Sequence, residues 1–171
     1  MHPEALAEEG KKIFTDLKIF KDFYLAGGTA LALQLGHRIS VDFDLFSPRE
    51  LPDSLLSLIE KVFPNHQITA LANNKDELTV LINGVKTTFL HYPFPVLSGY
   101  AEYHGLNMLT VPELAATKAY TIGRRGSFKD YVDLYFVIED KKVALAEIIE
   151  LAQKKYGVVF NGRLFLEQLV Y

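Results

Sequence analysis

The chain has 171 residues, of which 49% are hydrophobic and 23% charged, and it has no cysteine. This composition is typical of one globular domain and excludes a disulfide scaffold, a thiolate metal site and a disordered chain. The net charge of −3 gives no overall attraction to nucleic acid, so a phosphate-rich partner would have to meet a local basic patch. Because there is no signal-peptide pattern and no run of ~18 apolar residues, we expect a cytoplasmic protein without a membrane segment.

The first part of the chain predicts a helix, a strand and a second helix. Apolar residues at helical spacing indicate an amphipathic helix over residues 3–17. The segment FYLA predicts a short buried strand that ends at Gly27 and Gly28. The segment TALALQLG then predicts a helix that Thr29 caps and Gly36 stops.

The segment ISVDFDLF, residues 39–46, has the alternation of a strand with one apolar face. Ile39 and Val41 begin the apolar face, and Asp42 and Asp44 share the opposite face. The sequence therefore predicts a strand that presents two carboxylates on one side.

Further along, the pattern changes from strands to helices. A helix is predicted from Pro52 through Phe63, and ELTVLINGVKTTFLHY predicts two strands joined by a type I′ turn at Asn83-Gly84. FPVLSGYAEYHGL reads as a turn-rich connection. Helical patterns then cover the following ranges: 112–123, 128–139, 143–156 and 162–170. We therefore expect a core with a mixed sheet over 1–105 and a helical part over 106–171 packed on it.

Asp42 and Asp44 are candidate metal ligands. Two residues apart on a strand, their Cα atoms would be ~6.5–7 Å apart and their side chains would project the same way. Such carboxylates suit one or two Mg²⁺ ions, which also take water and phosphate oxygens and can serve phosphoryl transfer. The alternative is an exposed strand face that keeps an edge soluble.

The glycine pair just before this strand is a candidate phosphate site. Gly27 and Gly28 permit close approach of a ligand, and the following helix N-terminus offers N–H groups to a phosphate. A tight turn capped by Thr29 is the alternative. Between the two motifs, the Arg38 guanidinium could bind phosphate and the Ser40 hydroxyl could bind substrate.

Two blocks, GGTALALQLGHRISVDFDLF and VPELAATKAYTIGRRGSFKDYVDLYFVI, resemble the AbiEii/AbiGii-type nucleotidyltransferases. The resemblance extends over roughly residues 23 to 140. It implies an α+β fold of the DNA polymerase-β-like nucleotidyltransferase type, a mixed sheet flanked by helices with a helical C-terminal part. Members of this family are often the toxin half of bacterial toxin–antitoxin or phage-resistance pairs.

The resemblance also implies roles for particular residues. Gly27, Gly28 and Thr29 match the phosphate-binding turn, and Asp42 and Asp44 match the metal-binding pair. The downstream lysine–arginine and aspartate motifs of the family are matched by Lys118, Arg125, Asp130 and Asp133.

The downstream block predicts a basic patch. Lys118 and Arg125 are seven residues apart and share a face if one helix continues through Gly123. Cations there could hold a triphosphate and offset charge on the leaving pyrophosphate. A solvated helix face, with Lys129 paired to Asp133 at i, i+4, is the alternative.

In the segment FKDYVDLYFVI, apolar side chains at helical spacing form a stripe. Its members are Phe128, Tyr131, Tyr135 and Ile138. The stripe predicts core residues, with Asp130 standing off it.

One feature of many polymerase-β-like enzymes is missing. They place a third carboxylate on a later strand, where VKTTFLHY has Thr87 and Thr88. Asp130 or His91 could substitute for that carboxylate in orienting or deprotonating an acceptor hydroxyl.

These observations lead to a Mg²⁺-dependent nucleotidyltransferase that uses a nucleoside triphosphate. The candidate catalytic residues are Asp42, Asp44, Lys118 and Asp130. The candidate nucleotide-binding residues are Gly27, Gly28, Thr29, Arg38, Ser40, Lys118 and Arg125. The resemblance favours RNA, first the tRNA 3′ end, as acceptor and an antitoxin protein as partner.

Two alternatives stay open at this point. The same site could act on a hydroxyl of a small molecule or a protein, which the acidic net charge favours. The absent third carboxylate favours a catalytically weak relative that binds nucleotide or a partner protein.

Overall fold

The computed structural model describes residues 1–140 and 142–170. Its strands are β1 (Tyr24–Ala26), β2 (Phe43–Ser47), β3 (Ile68–Asn73), β4 (Glu77–Ile82), β5 (Val85–His91), β6 (Tyr100–Tyr103) and β7 (Leu106–Leu109). Its helices are α1 (Glu8–Phe14), α2 (Gly27–Leu35), α3 (Leu55–Val62), α4 (Val111–Arg125), α5 (Phe128–Glu139), α6 (Leu145–Tyr156) and α7 (Gly162–Leu169).

The strands form one mixed sheet in the order β3-β4-β5-β2-β1-β7-β6. β2 runs parallel to β5 and antiparallel to β1, and β1 runs parallel to β7. The remaining neighbours are antiparallel. The prediction of an α+β fold with a mixed sheet is confirmed. The boundary predicted at residue 105 falls in the turn between β6 and β7, and β7 lies beside β1 within the sheet.

Two helices, α2 and α4, lie between the sheet and the remaining C-terminal helices. α2 follows β1 without a loop, because Gly27 adopts a φ of 65° that turns the chain directly from strand to helix. Residues 29–33 of α2 are all buried, as in a helix covered on every side. α4 packs against α2, α5, α6 and α7. The four predicted C-terminal helices are therefore confirmed, and α4 is central to them.

A buried ion pair fixes the connection between β5 and β6 to these helices. Lys155 Nζ lies 2.6 Å from Glu113 Oε2, and neither side chain is exposed. The other oxygen, Glu113 Oε1, accepts hydrogen bonds from the backbone N–H groups of Leu97 and Ser98, while Lys155 donates to the Pro95 carbonyl. All polar atoms of the pair are thus used inside the protein, as burial of charge requires.

Several predicted elements differ in the structure. The predicted helix over 3–17 is broken into a 3₁₀ turn at Pro3–Ala5, α1, and a second 3₁₀ turn at Leu17–Ile19. The type I′ turn is confirmed, since Asn83 and Gly84 both have positive φ. The segment read as turn-rich contains β6 and the turn of the β6–β7 hairpin, whose residues His104 and Gly105 also have positive φ. Neither β3 nor this hairpin was predicted.

Two faces that were predicted to be apolar and to face the core are partly exposed. The strand expected over 39–46 begins only at Phe43, and Ile39 and Val41 are 65% and 50% exposed. Of the stripe on α5, Phe128 is 84% and Tyr135 is 58% exposed. Helical or strand periodicity alone cannot show where a segment extends beyond the core. The segment before β2 and the start of α5 both extend beyond it, near the site described next.

Within residues 1–140 and 142–170, no helix is long and apolar enough to cross a membrane.

Candidate active site

Two cavities are together lined by all the candidate catalytic and nucleotide-binding residues named from the sequence. The larger cavity, of about 390 Å³, lies between the sheet and α4. The smaller cavity, of about 230 Å³, lies against the chain that precedes β2 and the start of α5. They share six lining residues: Gly28, Asp44, Lys86, Lys118, Arg125 and Asp130. Gly27 lines only the larger cavity, while Thr29, Arg38, Ser40 and Asp42 line only the smaller. The expected residues are thus brought together.

Asp44 occupies the middle of the sheet. Its Cα pairs with Ala26 of β1 on one side and with Thr88 of β5 on the other. A Cβ on Gly27 would lie 2.2 Å from Asp44 Oδ2. Glycine is therefore required at residue 27 by space as well as by its positive φ.

The Asp44 carboxylate has no hydrogen-bond donor among the described side chains. Burial raises its pKa, the neighbouring Asp42 carboxylate raises it further, and nearby cations including Lys118 and Lys86 oppose this rise. A half-buried carboxylate without a protein partner, beside a second carboxylate, is a donor set that fits Mg²⁺. Asp42 and Asp44 are the residues that would hold the ion.

Thr29 and Ser40 connect α2 to the segment before β2. The Thr29 hydroxyl donates to the Asp42 carbonyl, and its oxygen lies 2.7 Å from the Ser40 hydroxyl oxygen. The prediction that Thr29 caps α2 is wrong, because the helix begins at Gly27 and no side chain caps it. These two hydroxyls instead hold the backbone that carries Asp42.

A network of charged side chains lies behind the cavities, centred on the fully buried Asp133. Arg38 binds its carboxylate through Nε at 2.7 Å and Nη2 at 3.0 Å. Lys118 Nζ lies 2.7 Å from Asp133 Oδ2, and His37 Nε2 lies 2.8 Å from Oδ1. Burial alone would raise the pKa of Asp133, but the hydrogen bonds from His37 and Arg38 and the charge of Lys118 hold it far below its usual range. The Lys129–Asp133 pair, the alternative to a basic patch, does not form.

Asp130 has both carboxylate oxygens engaged. Oδ1 lies 2.7 Å from Lys118 Nζ, and Oδ2 accepts from the Ser127 backbone N–H and hydroxyl in a capping box at the start of α5. Burial would raise the pKa of Asp130, but the bonds from Lys118 and Ser127 lower it below its usual value. A carboxylate with a lowered pKa and no unused oxygen suits positioning better than proton abstraction.

Three cations that line the cavities have no ion-pair partner among residues 1–140 and 142–170. These are Lys86, Arg125 and Lys129. By contrast, the positive charges of Arg38 and Lys118 are balanced by the negative charges of Asp130 and Asp133. α4 continues unbroken from Lys118 to Arg125, as a shared helix face requires, while Arg124 lies over the Tyr120 ring instead.

Sequence reasoning missed Lys86, Glu77 and Thr88 on the sheet wall of the larger cavity. Glu77 accepts a hydrogen bond from Thr79. In the described part of the chain, no three acidic or histidine side chains are grouped as metal ligands. His91 lies 3.0 Å from Asp76 and lines neither cavity, so it does not substitute for the absent carboxylate.

A cavity of about 420 Å³ elsewhere is slightly larger. It lies against α3, and the charges in its lining include Glu50 and Lys75, which pair with each other at 2.9 Å. Because these charges neutralise each other, this cavity offers less to a phosphate than the two at the sheet.

Known proteins are similar to this chain in sequence and in fold. A family described as "Nucleotidyl transferase AbiEii toxin, Type IV TA system" matches residues 13–168. An uncharacterized protein of Aquifex aeolicus, aq_aa25, is 36% identical over 157 residues, which are 91% of this chain and 76% of that protein.

Solved structures extend the likeness to the fold. JHP933 from Helicobacter pylori superimposes with a TM-score of 0.65 at 17% identity, covering 96% of this chain and 90% of that one. The Megavirus polyadenylate synthase superimposes with a TM-score of 0.55 at 16% identity, covering 76% of this chain and 30% of that one. The chain, with its carboxylate pair and cations set around one mixed sheet, is a nucleotidyltransferase and belongs to the AbiEii toxin family.

Proposed function

We propose that this nucleotidyltransferase requires Mg²⁺ and transfers a nucleoside monophosphate from a nucleoside triphosphate to the 3′-terminal hydroxyl of an RNA. The first candidate for this RNA is tRNA. The observation that carries the proposal is that the Asp42 and Asp44 carboxylates share a cavity with unpaired cations. Carboxylates suit a metal ion, and cations suit the phosphates that the ion also binds.

The nucleotide would occupy the joined cavities. Gly27 and Gly28 let the Asp44 and Arg38 side chains approach the start of α2 closely, and both glycines line the cavity that Arg125 lines from α4. Mg²⁺, when held by Asp42 and Asp44, would polarise the phosphates and offset their charge. Lys118 and Asp130, which bind each other, would hold the wall of the site in place.

In the reaction, the acceptor oxygen forms a bond to the α-phosphorus. The bond from that phosphorus to the oxygen bridging to the β-phosphate breaks, and pyrophosphate leaves with the electron pair. The acceptor proton passes to solvent. The cations lining the cavities offset the charge that develops on the pyrophosphate.

An exposed aromatic side chain supports a nucleic-acid acceptor. Phe128 is 84% exposed, and its neighbours Ser127 and Lys129 both line the smaller cavity. A base stacked on an aromatic ring is worth ~1–3 kcal/mol, and a nearby lysine can bind the backbone phosphate. Single-stranded RNA ends present unstacked bases of this kind.

The family's description supports a further part of the proposal, that the chain is the toxin of a toxin–antitoxin pair. We also propose that it acts in the cytoplasm. If so, expression should arrest growth, and co-expression of the protein encoded by the adjacent gene should relieve the arrest. Growth unaffected by expression of the active enzyme would contradict the toxin role.

The acceptor is tested with each of four nucleoside triphosphates labelled at the α-phosphate. We expect Mg²⁺-dependent transfer of label to tRNA, and none to tRNA whose terminal ribose has been oxidised by periodate. Label found only in added protein or small polyols would contradict an RNA acceptor. Nucleotide binding without transfer to any acceptor would support a binding protein instead.

A further inference from the structure

Lys86 stands out among the cations of the site because it comes from the sheet. The other cations that line the two cavities lie on α4, at the start of α5 or before β2. On β5, Lys86 lies two residues before Thr88, whose Cα pairs with that of Asp44. Side chains two residues apart on a strand project to the same face, so Lys86 and Asp44 face the same space. Both cavities are in fact lined by both residues.

No described carboxylate uses the charge of Lys86. Its side chain is exposed, and it has no ion-pair partner in residues 1–140 and 142–170. Lys118, in contrast, is 9% exposed and binds two carboxylates at 2.7 Å. The two carboxylates occupy two of the three N–H donors of Lys118 and balance its charge, whereas no carboxylate among the described residues balances the charge of Lys86.

The metal ligands available beside Lys86 are few. Asp42 and Asp44 are not joined by a third acidic or histidine side chain as a metal-binding group in the described residues. The neighbouring positions on β5 supply an ammonium and a hydroxyl, from Lys86 and Thr88. On this wall of the larger cavity, the protein itself supplies positive charge through Lys86.

We propose that Lys86 binds the phosphates of the nucleotide opposite Arg125, and that Lys118 positions the site without contacting them. This inference rests on the proposed function, since it assigns a nucleoside triphosphate to the same cavities. Lys86 and Arg125 hold the triphosphate from the sheet side and the helix side. Lys118 keeps Asp130, Asp133 and Arg38 together behind it.

The test is calorimetric titration of each nucleoside triphosphate, with Mg²⁺, into the 171-residue protein and its variants. We expect Lys86→Met to weaken binding about 10- to 100-fold, the usual range for a lost hydrogen bond between charged groups, and Lys86→Arg to restore most of it. Lys61→Ala is the matched control, an exposed lysine on α3 outside both cavities. The thermal midpoint of Lys86→Met should stay within about 1 °C of wild type, because the side chain has no internal partner.

The outcomes distinguish the role assigned to Lys86 from the proposed function on which it rests. If wild type binds a nucleotide and Lys86→Met binds it equally well, the assignment of Lys86 is overturned while the proposed function stands. If wild type binds none of the four nucleotides, both are overturned. A loss in Lys86→Met that Lys86→Arg restores, with an unchanged thermal midpoint, supports a direct contact and excludes a folding defect.

Discussion

Lys118 Nζ lies 2.7 Å from Asp133 Oδ2, and both side chains are almost completely buried. The same ammonium binds Asp130, which caps α5 through Ser127. Lys118 therefore joins α4 to α5 and holds the helical wall of the site against the segment that carries Arg38.

Removal of this ammonium should cost stability. Lys118→Met would leave two buried carboxylates with fewer partners, and we expect a loss of about 3 kcal/mol, at the lower end for a broken buried pair because Arg38 and His37 still bind Asp133. Urea unfolding measures the change. Lys129→Met, the control, should stay within about 0.5 kcal/mol. Equal stability of wild type and Lys118→Met would show that the buried pair does not stabilise the fold.

The Asp133 carboxylate should make stability depend on acid pH. Its pKa in the folded protein lies below the unfolded value of about 3.9, so its contribution is complete above about pH 5 and is lost progressively as pH falls below that. Between about pH 5 and pH 2 the free energy of unfolding should fall more steeply for wild type than for Asp133→Asn. Parallel pH profiles would mean that Asp133 has an ordinary pKa.

Gly27→Ala should damage the site more than the fold. Its Cβ would lie 2.2 Å from Asp44 Oδ2, so the carboxylate must move, and we expect transfer activity to fall about 100-fold. Gly84→Ala is the control, because Gly84 also has positive φ but nothing lies within 4 Å of its added Cβ. Both variants should lose about 1–2 kcal/mol from backbone strain. An equal loss of activity in both would point to instability as the cause.

Phe128→Ala tests the acceptor contact separately from the nucleotide. Loss of one stacked base should raise the KM for tRNA by about 5- to 100-fold and leave the KM for the triphosphate unchanged. Tyr135→Ala, an exposed aromatic on the same helix that lines neither cavity, should change neither constant. An unchanged KM for tRNA in Phe128→Ala would remove the structural support for a stacked RNA end.

The local parts of the fold and site could be predicted from the sequence. The Asn83-Gly84 turn, the helices from α4 to α7, and the Gly27-Gly28 and Asp42–Asp44 motifs each depend on residues close together in the chain. Short hydrophobic runs and turn residues carry that information. The β6–β7 hairpin was missed because its strands have only four residues each and β6 is largely exposed.

The parts that could not be predicted depend on contacts between distant residues. Asp133 binds His37 and Arg38, which precede it by 96 and 95 residues. Lys86 comes beside Asp44 only through the parallel register of β2 and β5. Lys86 is the exposed residue of a strand whose other residues are buried or half-buried, and no local pattern in the sequence distinguishes it from a solvated side chain.

The most direct test of the central claim, that Asp42 and Asp44 hold the metal for nucleotidyl transfer, compares wild type with the Asp42→Asn/Asp44→Asn variant. Mg²⁺-dependent incorporation of α-labelled nucleotide into tRNA is measured for each, with the thermal midpoint as the control for folding. We predict transfer by wild type and its loss in a variant that remains folded. Equal transfer by the two proteins would contradict the assignment of Asp42 and Asp44 as metal ligands.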